Sequence, residues 1–298
     1  MGMAYNAIMG MDFKFAEDCR LIRNTLGLTQ QQLAAALGVE YPTISLWENG
    51  KMTPSFSSLD RLYSFAYSKG FNLSETKGQF YLEERKGNEI ILFHGSDEGI
   101  VEPIDLAHSR KKLDFGPGFY CGENYRQSAS FALDSPRASF YVLSFENSAA
   151  HSSTRFSVDL EWMLAIAFYR GKIDKYADNP LIRKLREKVK KADFIIAPIA
   201  DNRMFATIDS FLAEDLTDAQ TIHALAATDL GMQYVFRQSA VLGDLRILEH
   251  LFLSSEEKKH LFSERSLRQQ EGEKKAISAK IKYKKDGAYL EEILDAAH

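Results

Sequence analysis

Glycines divide the first quarter of the chain into short helical segments, and this punctuation constrains the fold more than any other feature. Apolar residues between positions 15 and 26 recur on one face of a helix, which Gly27 ends. A Thr-x-x-Gln capping box opens the next helix, and Gly38 closes it. Pro42 suits the first turn of a third helix, which ends before Gly50. The pattern predicts a compact all-α domain.

The string LGLTQQQLAAALGVEYPTISLWENGKMTPS lies within this segment. It closely resembles the Cro-type (XRE) helix-turn-helix family, over about the first quarter of the chain. The resemblance implies a recognition helix that begins near Tyr41 and enters the major groove of DNA. By the same resemblance the DNA-contacting residues are Gln30, Tyr41, Thr43, Ser45, Asn49 and Lys51, with Gln30, Asn49 and Lys51 near phosphates. A homodimer is a further expectation, since modules of this family commonly bind as pairs.

The charge of this segment leaves a second interpretation open. Residues 1–75 carry six basic and seven acidic side chains, so no basic stripe marks a surface for phosphates. The positions expected to face bases include Glu40, Pro42 and Leu46, and none of those positions holds Arg, Gln or Asn, the usual bidentate readers of bases. The domain is therefore expected to bind either operon DNA or a partner protein such as an antitoxin.

The composition is that of an ordinary globular protein. The 298 residues are 45% hydrophobic and 26% charged, with a net charge of -4, which excludes a polycation that coats nucleic acid. Two cysteines, Cys19 and Cys121, are too few for a disulfide framework or a cysteine-rich metal site. The sequence shows no signal segment, no apolar run of membrane-spanning length and no metal-ligand spacing of histidines. We expect a cytoplasmic protein without a metal and without a membrane partner.

A change of composition indicates a second domain after a polar segment. We predict a helix-turn-helix domain at residues 1–75, a linker at 76–88, a larger domain at 89–253 and a charged helical C-terminal tail at 254–298. In the larger domain the predicted strands are 89–93, 139–145, 194–199 and 233–236, and the predicted helices are 126–133, 159–169, 181–191, 202–212 and 218–227. Because strands and helices do not alternate regularly, the predicted fold class is α+β with two domains, one all-α and one with a mixed β-sheet.

Three short motifs follow one another in the larger domain: FHGS at 93–96, FGPGFY at 115–120 and MQYVF at 232–236. In this order they resemble the ADP-ribosyltransferase fold of the diphtheria-toxin and poly(ADP-ribose) polymerase type. The stretch DFIIAPIADNRMF is also similar to a compact, uncharacterised bacterial branch of this fold, found in toxin–antitoxin-like contexts. The resemblance implies NAD as co-substrate and His94, Tyr120 and Gln233 as catalytic residues. The NAD-binding residues that it implies are Gly95, Ser96, Gly116, Gly118, Phe131 and Arg203.

These residue types suit the cleavage of NAD, which builds positive charge on the nicotinamide ribose. By resemblance, His94 hydrogen-bonds a ribose 2′-hydroxyl and the backbone of Gly95 holds the nicotinamide amide, a close approach that excludes a side chain. The rings of Tyr120 and Phe131 are expected to clamp the nicotinamide by stacking. Arg203, in a polar turn, either reaches the pyrophosphate or is solvated.

Gln233 departs from the glutamate that the family carries at this position. Its amide keeps a hydrogen-bonding group for the 2′-hydroxyl but lacks the charge of a carboxylate and cannot act as a general base. Asp201 and Glu123 are further carboxylates that could assist. The expected activity is mono-ADP-ribosylation of a macromolecular acceptor, as the toxin of a toxin–antitoxin or defence-type system. The alternative is a non-catalytic DNA-binding regulator that senses NAD or ADP-ribose. An RNA 2′-phosphotransferase ranks last, because the arginines that it needs are not evident.

Overall fold

The structure is a computed structural model that describes residues 13–97, 99–107, 109–134, 139–148 and 150–297. Its α-helices are α1 (Phe15–Thr25), α2 (Gln30–Leu37), α3 (Tyr41–Glu48), α4 (Phe56–Ser68), α5 (Leu73–Glu84), α6 (Tyr125–Ala129), α7 (Leu160–Tyr169), α8 (Pro180–Lys191), α9 (Asn202–Leu212), α10 (Asp218–Ala226), α11 (Ser239–Leu242), α12 (Ser255–Lys282) and α13 (Leu290–Asp295). Its strands are β1 (Glu89–Ser96), β2 (Phe119–Gly122), β3 (Ser139–Glu146), β4 (Ser153–Arg155), β5 (Phe194–Pro198), β6 (Met232–Phe236) and β7 (Leu245–Phe252).

The described residues form two compact units whose limits differ from the predicted domains. The first unit joins the residues up to Ile100 to two later segments, Ser128–Phe145 and Arg246–Ser263. The second unit consists of Val101–Gln127, Glu146–Leu245 and the residues from Glu264 onward. The predicted boundaries followed local composition. The first unit instead combines the N-terminal helices with two segments from much later in the sequence.

Helices α1 to α3 agree with the helix pattern predicted from the sequence. At the start of α2 the Thr29 hydroxyl accepts a hydrogen bond from the Gln32 backbone N–H, and the Gln32 side chain accepts one from the Thr29 backbone N–H. Gly38 closes this helix in the left-handed conformation, with φ of 62°. Ile44 and Trp47 of α3 are buried. These local signals are sufficient to specify the helices.

One residue of β7 completes the core of these helices. Phe252 is buried in the same hydrophobic cluster as the residues of α1 to α4. Its ring packs edge-on against Phe56 and Tyr63, with centroids 5.1 and 5.5 Å away. Burying one such side chain stabilises a fold by about 1.5–3 kcal/mol. Within the first unit the helical core therefore includes a residue that was predicted to belong to the larger domain.

The predicted linker at 76–88 is helical over most of its length. Helix α5 begins after Asn72, whose side chain accepts a backbone N–H of the first turn. Lys77 on this helix forms ion pairs of 2.5 Å with Asp18 and of 2.8 Å with Glu249. Both carboxylates are buried, so each requires a cation or hydrogen-bond donors. The polar residues that suggested a linker include a partner for buried charges.

The first unit contains three strands, in the order β1-β3-β7. The second unit contains four, in the order β4-β5-β6-β2. In the second unit β4 pairs with β5 in parallel, while β5 with β6 and β6 with β2 are antiparallel. Mixed pairing of this kind confirms the coarser prediction, a helical N-terminal region followed by a mixed-sheet region. Strands β2, β4 and β7 were not among the predicted strands.

Helices and the C-terminal region cover the core of the second unit. Trp162 of α7 is completely buried there. The C-terminal tail is helical as predicted, but it is not only solvated. Leu290 and Leu294 of α13 are buried in the same core, and the Asn179 side chain donates to the Leu294 carbonyl at 3.0 Å. Among the described residues, no helix is long and apolar enough to cross a membrane.

Candidate functional site

The His-Gly-Ser motif lies at the end of β1 in the first unit. The strand buries Ile91, Leu92 and Phe93 and then becomes half-buried at His94. The Ser96 hydroxyl is part of a tight turn, since it accepts the Gly99 backbone N–H at 2.9 Å and donates to the Gly99 carbonyl at 3.0 Å. The motif is therefore placed where a buried strand reaches the surface, and its contacts with NAD stay predictions.

Gly95 has a structural reason to be glycine. A Cβ atom at this position would lie 2.5 Å from the carbonyl oxygen of Ser128, which no real side chain allows. The close approach is made by the helical segment that follows β2 in the chain. Phe131 lies in a short 3-10 helix at the end of that segment, and its side chain is 59% exposed. The nicotinamide contacts implied for Gly95 and Phe131 stay predictions.

A buried histidine of the first unit packs between aromatic rings. His250 of β7 stacks flat on Tyr141, with ring centroids 4.3 Å apart and planes 10° apart, and lies 4.1 Å from the ring of Phe13. Among the described residues, neither ring nitrogen of His250 has a hydrogen-bond partner. Burial lowers its pKa to about 4, so the ring is neutral at physiological pH.

Tyr120 and Gln233 lie on paired strands of the second unit. Strands β2 and β6 are antiparallel, with Tyr120 opposite Val235 and Gly122 opposite Gln233. Because residues directly opposite each other share a face, and residues two apart along a strand do too, the side chains of Tyr120 and Gln233 lie on one face of the ladder. The structure thus brings together two of the three predicted catalytic residues within one unit.

Tyr120 is anchored to the turn that precedes β2. Its hydroxyl donates to the Gly116 carbonyl at 2.7 Å and accepts the Phe115 backbone N–H at 3.1 Å. Burial raises the pKa of Tyr120 well above its usual range, so the phenol stays protonated. The ring packs against the core of the unit. Tyr120 can therefore offer a neutral aromatic surface, but its hydroxyl is already engaged.

The two glycines of the FGPGFY motif fit closely packed positions. Gly116 has φ of 75°, and a Cβ atom there would lie 3.0 Å from the ring of Tyr169. At Gly118 a Cβ atom would lie 2.9 Å from the side chain of Val235. Gly116 is thus favoured by its left-handed φ and its contact with Tyr169, and Gly118 by its packing on β6. Their predicted role beside a dinucleotide stays a prediction.

Asp114 is a site residue that sequence reasoning missed. Its carboxylate is buried, and one oxygen, Oδ1, accepts hydrogen bonds from Nε and Nη2 of Arg170 at 2.9 and 2.7 Å. The other oxygen, Oδ2, accepts a hydrogen bond from Nε2 of Gln233 at 2.9 Å. The guanidinium of Arg170 lies over the ring of Phe205, 3.5 Å from its centroid. The aspartate begins the DFGPGFY string, but no spacing rule could connect it with Arg170 and Gln233.

Three other predicted residues have structural partners. Arg203 is mostly buried and donates to the Thr228 hydroxyl at 2.8 Å, so it is not a solvated arginine. Asp201 caps α9 by accepting the Met204 backbone N–H at 2.9 Å. Glu123 accepts the backbone N–H of Met232, next to Gln233. The predicted contact of Arg203 with a pyrophosphate stays a prediction.

The predicted DNA-binding residues all lie on α2, on α3 or just after α3. Tyr41 is 48% exposed and Lys51 is exposed, while Thr43 and Ser45 are half-buried. The side chain of Gln30 donates to Glu48 at 2.7 Å, and that of Asn49 donates to the Ser45 carbonyl at 2.8 Å. The charge of Glu48 is compensated by Arg23 at 2.6 Å. Tyr41, Asn49 and Lys51 are the exposed members of this set.

Both cysteines are buried, Cys19 in the first unit and Cys121 in the second. Burial raises the pKa of Cys19 to about 12 and also raises that of Cys121. Since the thiolate is the reactive form, neither residue is suited to nucleophilic catalysis.

Two family models match the chain. The model described as helix-turn-helix matches residues 20–62, which confirms the Cro-type prediction and supports DNA binding. The model described as protein of unknown function (DUF3990) matches residues 90–247, more than half of the 298 residues. No curated protein and no solved structure matches the chain. The second match has nearly the same limits as the larger domain predicted from the sequence.

Proposed function

The chain belongs to the family described as protein of unknown function (DUF3990), and we propose that its larger domain is a NAD-dependent mono-ADP-ribosyltransferase. In this proposal the helix-turn-helix binds operon DNA or an antitoxin, and the enzyme is the toxin of a toxin–antitoxin or defence-type system. NAD is the co-substrate, and a macromolecule is the acceptor.

In the proposed reaction the bond between C1′ of the nicotinamide ribose and the pyridinium nitrogen breaks, and its electron pair leaves with nicotinamide. A nucleophilic atom of the acceptor forms the new bond to C1′, and its proton passes to solvent. The protein has to orient the ribose and to support the positive charge that develops on it. This chemistry requires polar and aromatic groups at fixed positions more than it requires a strong acid or base.

The observation that carries the proposal is the placement of Tyr120 and Gln233. The two side chains lie on one face of the β2–β6 ladder, and both hold the turn at residues 114–116. A ring next to a hydrogen-bonding group suits a nicotinamide riboside, because the ring can stack on the base while the polar group binds a ribose hydroxyl. We assign to His94, at the end of β1, a second hydrogen bond to the ribose.

One observation favours the regulator as a second candidate. The helix-turn-helix and the strand that carries His94 belong to the same compact unit, and Phe252 of β7 is shared with the helical core. A ligand that binds near His94 would act on a unit that also contains the recognition helix α3. A DNA-binding protein that senses NAD or ADP-ribose without turnover would use this connection.

The enzyme is tested with labelled NAD, purified protein and cell extract. We expect release of nicotinamide and transfer of label, and we expect both to be lost in His94→Ala and Tyr120→Ala. The controls are His223→Ala and Tyr176→Ala, which change the same residue types outside the candidate site. NAD binding without any release of nicotinamide would exclude the enzyme and favour the sensor.

DNA binding is tested by titrating salt in a binding assay on the DNA upstream of the protein's own coding sequence. If Lys51 contacts a phosphate, Lys51→Ala weakens binding to all sequences and lowers the salt slope by about 1. Lys69→Ala, an exposed lysine outside the predicted surface, should leave the slope unchanged. A complete lack of sequence-preferring binding at low salt would instead indicate protein docking.

A further inference from the structure

We propose that Asp114 is a positioning residue that turns the amide of Gln233 so that its oxygen faces a sugar hydroxyl of the bound dinucleotide. This inference rests on the proposed function, because it assigns to Gln233 the ribose of NAD as its ligand. It addresses the departure at position 233, where an uncharged amide replaces a carboxylate.

Two acceptors determine the orientation of the amide. Nε2 of Gln233 donates to Asp114 Oδ2 at 2.9 Å and to the Pro198 carbonyl at 3.0 Å. If the amide were rotated by half a turn, its oxygen would face a carboxylate and a carbonyl, and both contacts would be repulsive. Since an amide nitrogen has two hydrogens, both donors of Gln233 are used in the observed orientation.

The remaining polar atom of Gln233 is an acceptor. Among the described residues, no group donates a hydrogen bond to Oε1. This oxygen also keeps some contact with solvent, since it is not among the fully buried polar atoms that have no partner. Gln233 as a whole is only 7% exposed, so the acceptor is presented at a largely enclosed position. A ribose hydroxyl that donates a hydrogen bond is the complement of such an atom. In this respect the glutamine behaves as a carboxylate would.

Asp114 can hold this orientation because it is itself immobilised. Its side chain is buried, and Arg170 binds its other oxygen through two N–H groups. Arg170 is fixed in turn by its position over the ring of Phe205. The negative charge next to the amide also polarises it, which makes Oε1 a better acceptor. This series of side-chain contacts, from Phe205 to Gln233, thus fixes the direction of one oxygen, Oε1 of Gln233.

Because of this arrangement, we expect restoring the family's glutamate at position 233 to lower the activity, not to raise it. In Gln233→Glu a carboxylate would face Asp114 and the Pro198 carbonyl without a hydrogen to share at neutral pH. Repulsion would displace the side chain, and a displacement of about 1 Å can cost on the order of 100-fold in rate. At mildly acidic pH one proton shared by the two carboxyl groups would restore the pair. If Gln233 were only a weakened glutamate, the same variant would be more active than the wild type.

The experiment measures nicotinamide release, NAD affinity by calorimetry and thermal unfolding for five full-length proteins: the wild type, Asp114→Asn, Asp114→Glu, Gln233→Glu and the control Asp209→Asn. Asp209 forms an exposed ion pair with Lys172 in the same unit, so its variant makes the same chemical change away from the site. We expect Asp114→Asn to lose on the order of 100-fold in kcat with little change in KM. Asp114→Glu should recover part of the loss, and Gln233→Glu should be less active than the wild type at neutral pH and recover on acidification.

Each outcome decides the assignment. The inference is overturned if Asp114→Asn is as active as Asp209→Asn, or if Gln233→Glu exceeds the wild type at neutral pH. If the wild type binds NAD but never releases nicotinamide, the proposed enzyme fails, and weaker NAD binding by Asp114→Asn than by Asp209→Asn would still support the positioning role. A wild type that does not bind NAD overturns both.

Discussion

In the first unit a lysine lies between two buried carboxylates, whereas in the second a single buried carboxylate lies between an arginine and an amide. Lys77 contacts both Asp18 and Glu249, and Glu249 is also bonded to Lys14 and Tyr81. This network closes on itself, since every member named is a partner of another. It ties α1 and α5 to β7, and each of its two buried carboxylates is paired with a lysine.

The network of the second unit is open at one end. Arg170 and Gln233 satisfy the two oxygens of Asp114, but Gln233 retains an acceptor that no described residue uses. The comparison teaches that burial of charge by itself does not indicate function. A candidate site differs from a purely structural ion-pair network in having a polar atom that is held in place but has no hydrogen-bond partner.

The largest expected effect comes from removing the lysine of the closed network. Lys77→Met leaves two buried carboxylates without their shared cation, and breaking a buried pair in this way costs about 3–5 kcal/mol. Arg170→Met leaves only one, and we expect a smaller loss. The free energy of unfolding in urea measures both. Lys259→Met, at a lysine whose side chain is 70% exposed, should change it little. A larger loss of unfolding free energy in Arg170→Met than in Lys77→Met would show that the network around Asp114 contributes more to stability.

The second prediction concerns the pH dependence of the first unit. His250 has a pKa of about 4 in the fold, below its usual value of 6.5. Because the fold favours the neutral ring, its contribution is fully present above pH 6.5 and is lost as the pH falls toward 4. A difference of this size corresponds to about 3 kcal/mol.

His250→Phe should remove this loss while keeping the stack on Tyr141. Unfolding in urea, measured at several pH values across that range, gives the comparison. The control is His223→Phe, which changes a histidine stacked on Tyr283 in the second unit and leaves His250 in place. The same acid-induced loss in His250→Phe as in the wild type would assign the effect to other groups.

Close backbone packing gives the third prediction. Gly95→Ala would place a Cβ atom 2.5 Å from the Ser128 carbonyl oxygen, a backbone atom that cannot move aside cheaply. Such overpacking costs about 1–3 kcal/mol. In the second unit, a Cβ atom on Gly243 would meet nothing closer than 3.6 Å, so Gly243→Ala should change stability by no more than about 0.5 kcal/mol. Thermal unfolding separates the two, and equal melting temperatures would contradict the prediction.

The smallest effects compare the capping boxes of the two units. Thr29→Ala removes an exposed cap and should cost about 1 kcal/mol. Thr217→Ala should cost more, about 2 kcal/mol, because Thr217 is buried and its hydroxyl also donates to the Asp286 carbonyl at 2.6 Å. Substitution by serine at each position keeps the hydroxyl and should recover most of the loss. A greater loss at Thr29 would remove the expected contrast between an exposed and a buried cap.

Local signals in the sequence predicted most of the helices. The helix-turn-helix follows from glycines and a capping box, which act within a few residues. Helix α5 was hidden because its polar residues suggested a linker, although Lys77 is there to pair with Asp18 and Glu249. Strand β7 was hidden because it buries a glutamate and a histidine, which a pattern of apolar alternation does not anticipate.

The candidate site was predictable only in part. The order of three motifs predicted Tyr120 and Gln233, and the pairing of β2 with β6 places them on one face. The partners of Asp114 lie 56 and 119 residues away along the chain, at Arg170 and Gln233. Contacts between residues so far apart in the sequence depend on the fold of the whole unit, so no local sequence pattern predicts them.

The two buried thiols make the unmodified chain convenient for site-specific labelling. Because burial raises the pKa of both thiols, Cys19 and Cys121 hold almost no thiolate at neutral pH, so a maleimide dye would react with them very slowly. A new cysteine at an exposed position, such as 51 or 131, would therefore react selectively without any prior removal of native cysteines. Fluorescence from a dye at position 51 could then follow encounters with DNA, and a dye at 131 could report the arrival of a nucleotide.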